Sequence, residues 1–351
     1  MTAHQQHQTT PPDPSPTRAR TGTRAPTAAP GTGDAPVTSA VASASASPSA
    51  PVPVHAAASG AWTLGDVSVP RIGFGTMRLP QTGTALVPDA VPRDRDQALA
   101  VLRRAVELGV RHLDTAAFYF SPLRSANELI NRALAPYDED LVIATKVGPS
   151  RDAAGEWNEH AGPEGLRAQV EENLRQLGRD HLDLVNLRVL GTASVAERFG
   201  VLAELRRAGL IRHLGLSNVH PHQLAEAREL APVICVQNPY GLGMRPDQDE
   251  LVRHCGEQGI AFVPFYALAG SAGERGRGGA TEAPEVLRVA RAHGITPVQL
   301  RLAWTLHRGP HVLAIPGTGD TAHLEANVAA GAVRLSEAEL ALLETVHHRA
   351  A

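Results

Sequence analysis

His181-Leu182-Asp183-Leu184-Val185-Asn186-Leu187-Arg188 is a short apolar run, followed by a helical stretch over 195–208 and a second run, Ile211-Arg212-His213-Leu214-Gly215-Leu216. Strand, helix, strand in that order is the signature of two parallel strands joined by a helical crossover. Outward from this unit the pattern repeats. Strands are expected over 71–75, 111–114, 141–146, 181–188, 211–216, 233–237, 261–265 and 312–315. Helical segments lie between them, at 94–108, 164–177, 195–208, 221–230, 248–258, 284–293 and 297–306, with another beginning near Thr321. A final helix over 336–345 opens with Ser336 and Glu339 at capping-box spacing. Eight units of this kind match a (β/α)8 barrel at its usual length. Trp62-Thr63-Leu64 and Val67-Ser68-Val69, joined by Gly65-Asp66, read as a short hairpin before it. A doubly wound open sheet is the competing architecture, but Gly73-Phe74-Gly75-Thr76-Met77 lacks the third glycine of a dinucleotide fingerprint.

Composition bounds the rest. The formal net charge of −3 offers no basic surplus for nucleic acid or an anionic membrane. No apolar run is long enough to span a bilayer. Cys235 and Cys255 make neither a disulfide framework nor a metal cluster, and fit buried thiols in a reducing compartment. His347-His348 and the other histidines lack metal-ligand spacing and read as surface residues; no metal is expected. Residues 1–59 are rich in Ala, Pro, Ser and Thr, without the apolar core of a secretion signal, and are expected to form a disordered tail. Such a tail is either a real extension or upstream sequence read from a misplaced start. The folded domain is expected over 60–351 and the compartment to be the cytoplasm. The chain is expected to be a monomer or small homo-oligomer acting on a small molecule.

In a barrel, functional groups gather at the C-terminal ends of the strands. Asp114, Lys146, Arg188, Ser217, Asn218 and Gln237 all fall at or just past such ends. Asp114 and Lys146 sit on consecutive strands, and Tyr119 follows on the next loop. A lysine cation favours tyrosinate and so lowers the phenol pKa, while a carboxylate keeps the lysine charged. This makes Tyr119 a candidate proton donor to a carbonyl oxygen. Strand parity turns Leu184, Asn186 and Arg188 to one face and Val185 and Leu187 to the other. Arg188 then points inward, to stabilise a developing oxyanion or hold an anionic substrate group. Ser217, Asn218 and Gln237 suit a nicotinamide carboxamide, which needs both donor and acceptor. Tyr240 could stack on its ring. Pro316-Gly317-Thr318-Gly319 before a helix N-terminus is a ready phosphate site. The Gly-rich stretch 270–279 reads either as a plain flexible connection or as a cover over a coenzyme.

These residues resemble the aldo-keto reductase family from about Ala61 to the C-terminal helix. The motifs are Gly73-Phe74-Gly75-Thr76-Met77, Asp114-Thr115-Ala116 with Tyr119, Ala144-Thr145-Lys146, Gly215-Leu216-Ser217-Asn218, Val236-Gln237-Asn238, Ile315-Pro316-Gly317, and Thr296-Pro297-Val298-Gln299-Leu300 with Ala303-Trp304. The resemblance implies a (β/α)8 barrel and reduction of an aldehyde or ketone by NADPH, with NADH as the alternative. It implies a catalytic tetrad of Asp114, Tyr119 and Lys146, with Arg188 where the family usually has histidine. It further implies coenzyme contacts from Gly75, Thr76, Met77, Ser217, Asn218, Gln237, Tyr240, Tyr266, Leu268, Gly317, Thr318, His323 and Asn327. The run Asp183-Leu184-Val185-Asn186-Leu187-Arg188 is similar to a bacterial branch associated with pyridoxal reduction, which makes a pyridoxal-like aldehyde one candidate substrate. Phe120, where glycine is common, is expected to narrow the mouth of the site. Glu325, near the expected place of the 2′-phosphate, would repel it if turned inward. Two other functions compete: a nicotinamide-nucleotide-binding regulatory protein with little turnover, and a tailoring reductase or dehydratase of secondary metabolism.

Overall fold

A computed structural model describes residues 54–268 and 282–349. Parallel strands lie side by side in chain order: Phe74–Gly75, His112–Asp114, Val142–Val147, Leu182–Arg188, Ile211–Ser217, Val233–Gln237 and Ala261–Phe262. The segment 312–315, expected as the eighth strand, instead joins the two sheet edges through single parallel bridges, Phe262 to Val312 and Ile72 to Ala314. The Leu313 N–H donates to the Phe262 carbonyl at 2.9 Å, and the Gly73 N–H to the Ala314 carbonyl at 2.8 Å. These bonds close the sheet into a (β/α)8 barrel. The closing ladders are short for a chemical reason: Pro264 and Pro316 have no N–H to donate, so the strand expected over 261–265 stops at Phe262.

Helices cover the outside. Arg95–Glu107, Ala126–Leu134, Pro163–Leu177, Ala196–Arg207, Pro221–Leu230 and Asp249–Glu257 each follow one of the first six strands. Pro284–Ala292 and Pro297–His307 precede the closing segment, and Thr321–Ala329 and Glu337–His348 follow it. The Ser336 hydroxyl accepts from the Glu339 N–H while the Glu339 carboxylate accepts from the Ser336 N–H, the reciprocal cap its spacing anticipates. Strand parity sorts the core as read from the sequence. Val185 and Leu187 belong to the outer cluster under the helices. Leu184 belongs to an inner cluster with Val142, Ala144, Cys235, Ala261, Val263 and Leu313. The hairpin Ala61–Leu64 and Val67–Pro70 covers the barrel floor, adding Leu64 and Val69 to that inner cluster. The stretch 270–279 lies outside the described residues.

Ordered structure extends before residue 60. Ala56–Ser59 form one turn of 3-10 helix with Ala56 and Ser59 buried. The Ala56 N–H donates to the Leu108 carbonyl at 2.8 Å, and the Ile72 N–H donates to the Ser59 hydroxyl at 3.0 Å. Arg71 Nε donates to the Ser59 carbonyl at 2.8 Å and Arg334 to the Ala58 carbonyl at 2.6 Å. Small residues at the end of an Ala/Ser-rich stretch carry no compositional mark of this docking. A chain beginning at Gly60 is therefore expected to be less stable than one beginning at Val54, by about 2–4 kcal/mol for the lost hydrogen bonds. Parallel thermal melts of the two chains would check it; coincident melting temperatures would show that the turn is dispensable.

Candidate active site

Asp114 ends its strand and lies opposite Ala144 on the neighbouring strand, two residues before Lys146. That pairing brings the two charges together inside the barrel. Lys146 Nζ donates to Asp114 Oδ1 at 2.6 Å and to the Thr115 carbonyl at 3.0 Å. Gln237 Nε2 reaches across the barrel and donates to Asp114 Oδ2 at 2.6 Å. The lysine and aspartate side chains are only 3% and 4% exposed. His112, two residues before Asp114, is fully buried, and burial pushes its pKa down to about 4. It is neutral and adds no charge beneath the pair.

Tyr119 is set by its loop. Its N–H donates to the Ala116 carbonyl at 3.0 Å, its carbonyl accepts from the Ala126 N–H at 2.9 Å, and its ring meets Phe118 edge-on at 5.1 Å. Lys146 Nζ lies 4.9 Å from the ring centroid. Burial raises the Tyr119 pKa, and the Lys146 and Arg188 charges offset this only in part. The expectation of a lowered phenol pKa is thus corrected: desolvation outweighs the cations, and Tyr119 holds its proton across the neutral range. Burial pulls Lys146 down, but Asp114 and Tyr119 outweigh it, so the lysine pKa is raised and the group is charged.

A cavity of about 390 Å³ opens above this cluster. Of the sequence-selected residues it is lined by Gly75, Met77, Asp114, Tyr119, Lys146, Arg188, Tyr266, Leu268 and Gly317. Arg188 turns into it. One guanidinium nitrogen donates to Ser217 Oγ at 3.3 Å, and the group lies 5.0 Å over the Phe265 ring. Sequence reading missed Phe118, Trp157 and Phe265 as walls. Nothing in their local pattern marks them; only the loop geometry brings them to the mouth. Phe120, expected to narrow this mouth, lines the neighbouring cavity and lies under the Arg151 guanidinium at 4.5 Å.

Other residues expected to hold the coenzyme do not line this cavity. Tyr240 is fully buried, stacked on Trp304 at 5.8 Å, with its hydroxyl donating to Asp249 at 2.5 Å. It cannot stack on a ligand ring in this arrangement. His347, expected at the surface, is buried in the same cluster, 3.2 Å from Asp249. Ser217 is buried beside Arg188, and Asn218 adopts a left-handed backbone with its amide donating to the Val189 carbonyl at 2.9 Å. The Thr76 hydroxyl is buried and donates to the Asp114 carbonyl at 3.0 Å. Asn327 is buried on Thr321–Ala329, while His323 is exposed on that helix. The Asp320 carboxylate caps this helix by accepting from the His323 N–H at 2.9 Å, and the Asp320 N–H donates to Thr318 Oγ1 at 3.1 Å. Glu325 is paired with Arg104 at 2.7 Å rather than free.

Two observations bear on a nicotinamide coenzyme. Gln237 Oε1 is a buried acceptor without a donor, which the amide N–H of a carboxamide would satisfy. Gly75 and Gly317 meet so closely that a Cβ on Gly75 would come within 2.6 Å of the Ile315 carbonyl, and one on Gly317 within 2.7 Å of the Gly75 carbonyl. A groove with bare backbone walls lets a flat ligand approach closely. The residues fit such a group. Among the described residues no cluster could hold a metal ion and no helix is long and apolar enough to cross a membrane.

Comparison with known proteins agrees with this geometry. Pyridoxine 4-dehydrogenase of Escherichia coli (strain K12) is 42% identical over 296 residues, covering 82% of this chain and 99% of its own. Methylglyoxal reductase YeaE of the same organism is 32% identical over 287 residues, covering 81% of this chain and 93% of its own. The crystal structure of an aldo/keto reductase from Klebsiella pneumoniae in complex with NADP and acetate superposes with a TM-score of 0.67 at 29% identity, covering 82% of this chain and 95% of that one. The Aldo/keto reductase family model matches residues 71–348, and with the barrel and its motifs in place the chain belongs to the aldo/keto reductase family.

Proposed function

We propose that this oxidoreductase reduces an aldehyde or ketone to the alcohol with NADPH, using Tyr119 as proton donor, and that its substrate is a pyridoxal-like aldehyde. The observation that carries the proton-donor assignment is the buried Asp114–Lys146 pair at 2.6 Å beneath the Tyr119 ring. When bound, the reduced nicotinamide supplies a hydride to the carbonyl carbon. The developing alkoxide takes its proton from the Tyr119 hydroxyl. The tyrosinate left behind is stabilised by Lys146, which Asp114 keeps charged and placed. Gln237 holds the other Asp114 oxygen, so the carboxylate cannot swing away from the lysine. Arg188 supplies N–H donors at the same end of the barrel, where negative charge grows on oxygen. The pyridoxal-like substrate is supported by the relative at 42% identity and by the run Asp183-Leu184-Val185-Asn186-Leu187-Arg188.

The test is coenzyme oxidation against a panel of aldehydes, with Tyr119→Phe as control. No turnover of any aldehyde, with coenzyme binding intact, would favour a binding protein instead. The coenzyme end offers a further expectation. Glu325 and Glu107 both pair with Arg104, so Glu325→Ala removes one of its two carboxylate partners and unmasks part of its charge near the expected place of the 2′-phosphate. An exposed pair of this kind is worth little, so NADPH should tighten only about two- to fivefold, with NADH unchanged. Dissociation constants by tryptophan fluorescence would read it; an equal change for both coenzymes would place the phosphate elsewhere.

A further inference from the structure

Arg78, Lys146 and Arg188 give the cavity more positive charge, among the described residues, than one developing oxyanion requires. Among the described residues its only lining carboxylate, Asp114, is taken up by Lys146 and Gln237, each at 2.6 Å. Arg188 contributes a full positive charge, and among the described residues no carboxylate pairs with it. Ser217 holds one of its nitrogens and the Phe265 face fixes its plane. The remaining N–H groups of a rigid planar fork are left for the cavity. Arg188 and Tyr119 line the same cavity, so an anion held by Arg188 shares that cavity with the carbonyl. The walls add a shape. Phe118 and Trp157 pack at 5.6 Å, and Phe265 and Tyr266 at 4.7 Å. Such walls favour a flat ring.

We infer that Arg188 is a specificity-determining residue that selects aromatic aldehydes carrying an acidic hydroxyl on the ring carbon next to the formyl group. One edge of the guanidinium donates to the carbonyl oxygen and to the neighbouring oxygen together. A bidentate fork of this kind recognises two oxygens held in one plane, which a lysine point charge cannot do. The inference rests on the reading of Tyr119 as proton donor, because that reading puts the carbonyl oxygen near Arg188. No new chemical step is involved. The neighbouring oxygen is bound, and hydride and proton still go to the carbonyl carbon and oxygen.

The test compares 2-hydroxybenzaldehyde, 4-hydroxybenzaldehyde and 2-methoxybenzaldehyde with NADPH, on the full chain and on Arg188→Lys. The 4-hydroxy isomer has the same electron donation through the ring but places its oxygen out of reach. The methoxy compound keeps the position but has no proton to lose. The wild-type kcat/KM for the 2-hydroxy compound should exceed both others by about ten- to a hundredfold, the usual worth of a hydrogen bond to a charged group. In Arg188→Lys that ratio should collapse toward one. Equal kcat/KM for the three aldehydes in the wild type, or a ratio preserved in Arg188→Lys, would overturn the inference while leaving aldehyde reduction standing. A binding measurement keeps the test alive if none of the three is reduced. Dissociation constants of 2-hydroxybenzamide and 4-hydroxybenzamide from the NADP+-loaded protein, read by tryptophan fluorescence, should differ in the same direction. Equal values would overturn the inference independently of turnover.

Discussion

Tyr119→Phe is expected to lower kcat/KM for aldehyde reduction by about 10²–10⁴-fold, the usual contribution of general acid catalysis, with coenzyme affinity nearly unchanged. The phenyl ring would keep its edge contact with Phe118 and its place over Lys146. Only the proton source would be lost. The pH profile gives a second reading. Burial raises the Tyr119 pKa above its ordinary value of about 10. The protonated acid therefore persists through the neutral range, and reduction should decline only as pH rises through that raised value. Steady-state kinetics across pH, with coenzyme binding measured in parallel, would check both. If the variant turned over at near wild-type rate, another group would have to supply the proton.

The sequence carried the chemistry of this site better than its walls. Asp114 and Lys146 are legible because a charged residue at the end of an apolar strand is rare, and because consecutive parallel strands pair. Arg188 is legible from parity alone: with Val185 and Leu187 facing the helices, the alternate residues had to face inward. The electrostatic balance was not legible. A lysine near a phenol reads as lowering its pKa, but the degree of burial decides the sign, and burial is a property of the assembled barrel. Tyr240 shows the same limit. Its position past the sixth strand suits a ligand contact, yet its hydroxyl found Asp249, at the start of the next helix, and its ring found Trp304. The 3-10 turn at Ala56–Ser59 and the two-residue strands near the mouth, Phe120–Ser121 and Arg124–Ser125, are too short to leave a periodic trace.

The other large effect concerns the Asp114–Lys146 pair, which separates what the site does for stability from what it does for catalysis. Asp114→Asn removes the counter-charge of a lysine that is 3% exposed. Breaking a buried pair from one side typically costs about 3–5 kcal/mol, because the remaining charge is left without compensation. The melting temperature should fall on the order of 10 °C. Adding Lys146→Met should recover most of this loss, since an apolar chain of similar length needs no partner. The double variant should be nearly inactive, because Tyr119 would lose the cation that offsets its burial. Linkage fixes where to look. The Lys146 pKa is raised in the fold, so its stabilisation is complete below the unfolded lysine value of about 10.4 and is lost as pH rises through the higher folded value. Melts near neutral pH therefore see the whole effect. If Asp114→Asn melted like the wild type, the lysine would have another partner. If the double variant stayed as unstable as the single one, the loss would come from packing rather than from an uncompensated charge. A double variant that regains stability but not turnover would show that the pair is kept for proton transfer, at no benefit to the barrel that holds it.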